Sequence, residues 1–411
     1  MSEVLKTQQD RLWQSIMDMA KIGPGMAGGS RRLALTDEDK AGRDLFVEWC
    51  EEAGLSISID DMGNIFARRD GADNTLAPVV SGSHLDTQPH GGRFDGIYGV
   101  LATLEVIRTM NDHGIQTKAP VEIVMWTNEE GSRFAPAMIA SGVYAGLFEK
   151  DFAYSRQDTD GKTLKDELIR IGYMGQETCG EHPIGALLEA HIEQGPILEK
   201  ENKPVGVVVG GQGQRWFDCV ISGQDSHAGS TPMPGRKDAL VAASEIISGL
   251  QRLALENPPH AVATVGEMKV TPNSRNTIPG HVFFSIDLRH PEADMLDQLT
   301  EQVKTLCQQA CDNQSCNLEL TEIWHCPPVV FDQDCISAVR NAAATLGYAH
   351  MDMVSGAGHD ACQVSRVRPT SMIFVPCEGG LSHNEAENAT PEDLAAGCDV
   401  LLNAMIDLAN R

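Results

Sequence analysis

Nowhere in these 411 residues does an apolar run approach the roughly 20 residues that a membrane-spanning helix requires. The longest, Ile97 to Ile107 and Val205 to Val209, are interrupted or far shorter, so no membrane segment is expected. Met1 to Asp10 lacks an apolar core followed by a small-residue cleavage site, so a secretory signal is not expected and a cytoplasmic location follows. Positive charge is scarce: 32 Lys and Arg face 58 Asp and Glu, for a formal net charge of −26. Nucleic acid and anionic membrane are bound by clustered Lys and Arg, and this balance opposes both as partners. Paired C-x-x-C spacing is missing, and the eleven scattered cysteines fit free or buried thiols in a reducing compartment better than a disulfide framework. Cys307, Cys311, Cys316, His325 and Cys326 match no zinc-knot spacing either, so helical packing is expected there. Neither nucleotide-binding glycine motif is present, and the missing G-x-S-x-G and H-E-x-x-H remove the simplest serine and single-zinc hydrolases.

What is present is a well-supplied interior, with 42% hydrophobic residues, in a chain too long for one ordinary core. Two opening helices are expected between Leu12 and Gly54, then strands at Ser56 to Asp60, Asn64 to Arg68 and Pro78 to Ser81. A helix from Gly96 to Asn111 and a β-branched run from Val121 to Trp126 continue an α/β grammar, in which sites collect beyond the carboxyl ends of strands. The glycine cluster Gly210-Gly211-Gln212-Gly213 predicts a hinge, and Pro327-Pro328 a second break. Between them the expected elements are Trp216 to Ile221, a helix over Asp238 to Leu255, strands at His260 to Met268 and Val282 to Leu288, and a helix over Met295 to Cys311. After the second break come a helix from Cys335 to Leu346, a strand from Thr370 to Val375 and a helix from Pro391 to Leu408. The reading is therefore one α/β domain in two pieces, 1–212 and 328–411, carrying a smaller β-α-β-β-α insert, 213–327.

Seven residues of shared chemistry punctuate this pattern: His84, Asp86, Asp95, Glu129, Glu130, His191 and His383. Imidazoles and carboxylates suit divalent metals, and a bridging carboxylate lets two ions share one water. His84 and Asp86 share a face of an extended segment, so the carboxylate could orient the ring. Asp95, between Phe94 and Gly96, is small enough in its surroundings to bridge, although an Asp before a helix is more often an N-cap. Glu129 and Glu130 after a buried strand would repel unless a cation neutralises one, which lets Glu130 bind metal while Glu129 takes a proton. His191 follows what reads as a helical stretch, with Gln194 near it, and His383 lies beyond a strand; either alone would read as structural. In the insert, His227 could polarise a carbonyl, and Asn276 with Arg289 could hold a carboxylate, against the alternatives of an ordinary turn and an exposed arginine.

The segments Gly82-Ser83-His84-Leu85-Asp86-Thr87, Phe94-Asp95-Gly96, Asn128-Glu129-Glu130-Gly131-Ser132-Arg133-Phe134, His191-Ile192-Glu193-Gln194-Gly195, His227-Ala228-Gly229 and Gly356-Ala357-Gly358-His359-Asp360-Ala361 together resemble the M20-type metallopeptidase superfamily, in its N-carbamoyl amino acid amidohydrolase branch. That branch includes L-carbamoylases, β-ureidopropionase and allantoate amidohydrolase. The resemblance covers nearly the whole chain. It implies a two-domain α/β fold with a mixed central sheet and an inserted α+β dimerisation or lid domain. It implies two divalent ions per subunit (zinc, manganese, cobalt or nickel), one on His84, Asp95 and His191, the other on Asp95, Glu130 and His383, with Glu129 as general base. It further implies a homodimer in which His227 of one subunit completes the other's site, Asn276 and Arg289 gripping a substrate carboxylate, Gln194 at the ureido group, and Gly358 as a further substrate-binding residue. Histidine at 191, where many peptidase relatives carry a carboxylate, favours ureido hydrolysis over a dipeptidase or aminopeptidase. Thr87-Gln88-Pro89 before Gly91-Gly92 looks more like ureidopropionase and carbamoylase members, which makes an N-carbamoyl-L-amino acid or N-carbamoyl-β-alanine the expected substrate and allantoate the alternative.

Overall fold

Short runs rich in valine and isoleucine build a mixed sheet in the computed structural model, which describes residues 4–411. The expectation for the N-terminal segment therefore falls partly on residues 1–3, outside the described residues. Across the sheet the order is Ser56–Ile59, Ile65–Arg69, Val121–Trp126, Val79–His84, Ala186–Ile192, Thr370–Val375 and Val205–Gly211, with short strands beyond. The four central strands, from Val121–Trp126 to Thr370–Val375, are parallel, so their carboxyl ends lie on one edge. All four are buried along their whole length, as parallel strands covered on both faces must be. Helix Ile97–Asp112 packs on this sheet with helices Gln9–Met19 and Pro391–Ala409 against its other sides, which accounts for its near absence of a polar face. Helix Asp37–Glu52 starts where the Thr36 side chain accepts the Asp39 N–H.

The chain divides into two compact units, Met1–Gly210 with Val330–Arg411, and Gly211–Val329. In the second, strands Met268–Thr271, His281–His290, Gly213–Ser222 and Asn317–Cys326 form an antiparallel sheet, with Val262–Thr264 also paired to His281–His290. Helices Ala239–Leu255 and Ala293–Asn313 pack on it around a core that includes Phe217, Ile246, Phe284, Leu299 and Val303. No helix among the described residues is long and apolar enough to cross a membrane.

Three expectations need correction. His191 does not follow a helix; it sits inside strand Ala186–Ile192, whose opening Ala, Leu, Leu and Glu are good helix formers, a local preference that the sheet overrides. Beyond the second helix of the insert there is a further strand, Asn317–Cys326, so Cys326 belongs to a strand while Cys307 and Cys311 face the core from a helix. The span His260 to Met268 is two short strands, Val262–Thr264 and Met268–Thr271, interrupted around Gly266. At Gly210–Gly213 the chain stays extended, and only Gln212 separates strand Val205–Gly211 from Gly213–Ser222. All eleven cysteines are free thiols.

One surface loop of the first unit is pinned by charge. The His182 ring stacks on Phe66 at 3.8 Å between centroids, and its two nitrogens lie 2.7 Å from the fully buried Glu122 and 3.1 Å from Glu177. Burial alone would lower the His182 pKa, but hydrogen bonds and charge from Glu122 and Glu177 override it and raise it. A raised histidine stabilises the fold fully below its unfolded value of about 6.5, and that contribution is lost as pH rises through the folded value. Urea denaturation across this range should show His182→Gln less stable than the parent by about 1–2 kcal/mol at pH 6, with the gap closing as pH rises. A gap independent of pH would mean that the ring holds the loop by stacking alone.

Candidate metal centre

The parallel strands deliver their donors to one edge. His84 is the last residue of Val79–His84, and His191 is the penultimate residue of Ala186–Ile192. Glu129 and Glu130 follow Val121–Trp126, and His383 follows Thr370–Val375 after one 3-10 turn. Asn128, Gln194 and His383 have φ values of 56°, 57° and 54°, left-handed conformations that turn the chain sharply at these exits and are costly for such residues. Asp95 comes from the loop before helix Ile97–Asp112, and Gly96 beside it has φ of 70°. A Cβ on Gly96 would lie 2.3–2.5 Å from three atoms of the His84 ring, so only glycine lets the imidazole approach.

Asp95 is the hub. Its Oδ1 lies 3.1 Å from His191 Nε2 and 3.7 Å from His84 Nε2, and its Oδ2 lies 3.4 Å from His383 Nε2. Glu130 Oε2 stands 3.5 Å from the same His383 nitrogen, and Glu129 Oε2 lies 3.5 Å from His84 Nε2. The ring tautomers follow from the main chain. His84 Nδ1 is 2.9 Å from the Asp86 carbonyl and His191 Nδ1 is 2.9 Å from the Ile192 carbonyl; a carbonyl only accepts, so both Nδ1 atoms carry the proton. Both Nε2 atoms then face carboxylate oxygens, His191 Nε2 also meeting the Gly96 N–H at 3.1 Å, an arrangement that a proton on Nε2 or a cation resolves.

Acid crowding points the same way. Burial first, then the neighbouring Asp360 and Glu130, push the Glu129 carboxyl well above its ordinary value; burial and Asp95 do the same to Glu130. Asp86 is pushed up to about 7 by burial and Asp39, and Glu387 to about 7 by burial and Asp95. Asp95 alone goes the other way: burial would raise it, but contact with His191, His383 and His84 holds it well below the carboxylate range. His84 is lowered to about 4, chiefly by burial, and stays neutral as a ligand must. His191 is raised to about 9, because its hydrogen bond to Asp95 overcomes burial. His84, Asp95 and His191, and again Asp95, Glu130 and His383, place one donor atom each within 4.8 Å of one another. Imidazole and carboxylate in this number fit a divalent first-row metal, whose charge would relieve the crowding. A third such trio, Glu189, His191 and His359, is structural, since both Glu189 oxygens are engaged by Ser83 Oγ and the Ala361 N–H, and His359 Nε2 lies 3.0 Å from Ser355 Oγ.

Asp86 acts differently from the sequence expectation. Its main-chain carbonyl orients His84, while its carboxylate, 4.0 Å from the ring, accepts the N–H groups of Glu129 at 3.3 Å and Glu130 at 3.2 Å. The strand ends at His84, so the alternation that put residues 84 and 86 on one face stops there. Gln194 donates Nε2 to Asp95 Oδ2 at 2.9 Å and leaves its buried Oε1 without a protein partner. Gly358 is exposed beside the buried His359, whose ring stands 4.6 Å from that of His191. Other groups were not legible as site residues. Gln88 donates to both Glu130 oxygens, and the fully buried Arg32 donates Nε to the Leu85 carbonyl and its N–H to Thr87. Gln88, Arg32 and His359 carry no motif signal of their own beyond standing next to the ligand segments or in Gly356 to Ala361.

The second unit holds His227, Asn276 and Arg289. Strand Ser226–His227 pairs with Thr277–Ile278, which sets the exposed His227 opposite Thr277 and next to Asn276. The N–H groups of Gly229 and Ser230 both donate to His227 Nδ1 at 3.1 Å, so Nε2 carries the proton and is presented as a donor. Arg289, on strand His281–His290, donates to the Asp287 carboxylate through Nε and Nη2, the latter at 2.7 Å.

A model of Peptidase family M20/M25/M40 matches residues 80–407. The chain is 51% identical to the N-carbamoyl-L-amino-acid amidohydrolase of Rhizobium meliloti over 98% of its own length and 97% of the relative's. It is 34% identical to the allantoate amidohydrolase of Bacillus subtilis over 95% of each chain. Its structure superposes on that of an amidase of the hydantoinase/carbamoylase family from Burkholderia multivorans with a TM-score of 0.97, at 55% identity and 100% coverage of both.

Gly96→Ala tests the geometry directly. Overpacking against His84 should lower stability by about 1–3 kcal/mol and abolish retained divalent metal, read by thermal melting and elemental analysis after dialysis. Unchanged metal content would show that the His84 ring can move without loss of the centre.

Proposed function

The chain belongs to Peptidase family M20/M25/M40, and from that premise we propose that it is an amidohydrolase that cleaves the ureido group of N-carbamoyl amino acids, releasing amino acid, carbon dioxide and ammonia. The observation that carries this reading is Asp95, whose two oxygens face separate imidazoles, with Glu129 beside them and bound to no ligand trio. His84, Asp95 and His191 would hold one divalent ion, and Asp95, Glu130 and His383 a second, with zinc, manganese, cobalt and nickel all suited to the donors. Such ions supply positive charge that lowers the pKa of water and stabilises a developing oxyanion.

The protein's own groups do the rest. Glu129, buried and raised by its neighbours, accepts the proton of the attacking water and returns it to the leaving amine. Gln194 is fixed through Asp95, and its Oε1 is an acceptor for a ureido N–H. Gly358 is a further substrate-binding position, exposed beside His359, where a Cβ would meet the Met138 side chain at 2.7 Å. His227, with its proton on Nε2, donates to the ureido oxygen, and it comes from the second subunit of a homodimer. Arg289, oriented by Asp287, takes the substrate carboxylate together with Asn276. In this arrangement 1–212 with 328–411 is the catalytic domain and 213–327 the dimerisation and lid domain.

The deciding assay offers the metal-reconstituted protein N-carbamoyl-L-amino acids, N-carbamoyl-β-alanine, allantoate and dipeptides. Turnover is expected for N-carbamoyl-L-amino acids above the rest; allantoate as the best substrate would favour the second reading, suggested by the Bacillus subtilis relative. Glu129→Gln should retain its metals and lose at least about 100-fold in kcat, as removal of a general base does. Full activity in that variant would withdraw the base from Glu129.

A further inference from the structure

Between the hub carboxylate and the last imidazole lies a buried acid that the proposed chemistry does not use. Glu387 is 1% exposed. Its Oε1 accepts the N–H of Phe94 at 3.0 Å and of Asp95 at 3.1 Å, so it grips the main chain that presents the hub. Its Oε2 lies 2.9 Å from Ser382 Oγ, and that hydroxyl is also 3.0 Å from Asp95 Oδ2. Ser382 immediately precedes His383, which needs a φ of 54° to turn its ring toward Asp95 and Glu130. The segment closes on itself, with the Glu387 N–H on the Asn384 carbonyl at 3.0 Å and the Ala386 N–H on Asn384 Oδ1 at 2.9 Å. The approach is so close that a Cβ on Gly92 would sit 1.9 Å from Glu387 Oε1.

We propose that Glu387 is a positioning residue that locks the Phe94-Asp95 segment and the Ser382-His383 segment into one frame. Its two oxygens divide the work, one holding the shared carboxylate's main chain and the other the loop of the exposed imidazole. The proposal rests on the reading of Asp95 and His383 as metal ligands. Loss of the frame acts on the pocket of Asp95, Glu130 and His383 more than on that of His84, Asp95 and His191, whose rings are fixed separately by the carbonyls of Asp86 and Ile192.

Cobalt titration of the metal-free full chain, followed by visible absorption, separates the outcomes, with thermal melting confirming that each variant is folded. Glu387→Ala should raise the dissociation constant of one of two ions by on the order of 10–100-fold and leave the other within about threefold. Glu387→Gln keeps an oxygen for the two N–H groups and an amide for Ser382, so it should recover most of that loss. Ser382→Ala, which removes the hydroxyl's contacts with Glu387, Asp95 and Gln194 but keeps the hold of Glu387 on the Phe94 and Asp95 N–H groups, should weaken the same ion by less than Glu387→Ala does. Tight binding of two ions by the parent and unchanged binding by all three variants would overturn the role of Glu387 and leave the amidohydrolase reading standing. Equal weakening of both ions, or Glu387→Gln as poor as Glu387→Ala, would also overturn it, by pointing to general disruption or to charge. A parent that binds no cobalt would overturn the ligand reading itself.

Discussion

A single carboxylate, that of Asp95, has to serve imidazoles arriving from three different strand exits, and the rest of the first unit is arranged to make that contact possible. His84, His191 and His383 all reach it within 3.7 Å. Around it, Glu129, Glu130, Asp86 and Glu387 are buried and pushed above their ordinary range. Such a concentration of acid inside a fold is unfavourable unless cations or hydrogen bonds answer it. The protein answers part of it with main-chain N–H groups and Gln88, and the remainder is what makes the site suited to divalent ions.

Parallel topology explains why these groups can meet. Strands Val121–Trp126, Val79–His84, Ala186–Ile192 and Thr370–Val375 end on the same edge, and each exit contributes. Left-handed turns at Asn128, Gln194 and His383 aim the side chains inward once regular structure stops. The second unit follows different rules: an antiparallel sheet with a helical cover, presenting His227 through two main-chain donors on its Nδ1.

Much of this was legible in the sequence, for physical reasons that also mark the limit. Val121 to Trp126 and Thr370 to Val375 are dense in β-branched residues between turn formers, and the strands have those bounds. Asp95-Gly96 and Glu129-Glu130 each have an ordinary use, an N-cap and a solvated acidic turn, and they gain weight only together with the other donors. Ala186–Ile192 opens on Ala, Leu, Leu and Glu, all good helix formers whose local preference the sheet overrides, and Asn317–Cys326 alternates from Asn317 to Thr321, a pattern overshadowed by the cysteines near it. The supports were invisible. Arg32, Gln88 and Glu387 act through bonds to main chain or to other side chains, and nothing in their local spacing announces a partner far along the chain.

The donors around Asp95 are drawn from both sides of the unit Gly211–Val329, with His84 and His191 before it and His383 after it. An ion held by Asp95, Glu130 and His383 would therefore cross-link the two pieces of the first unit, which the pairing of Ala186–Ile192 with Thr370–Val375 already joins. Because that pairing has already closed the intervening loop, little further closure entropy opposes the ion, and its binding free energy would add to the stability of the first unit. Metal supply would then bear on the stability of the first unit as well as on its chemistry.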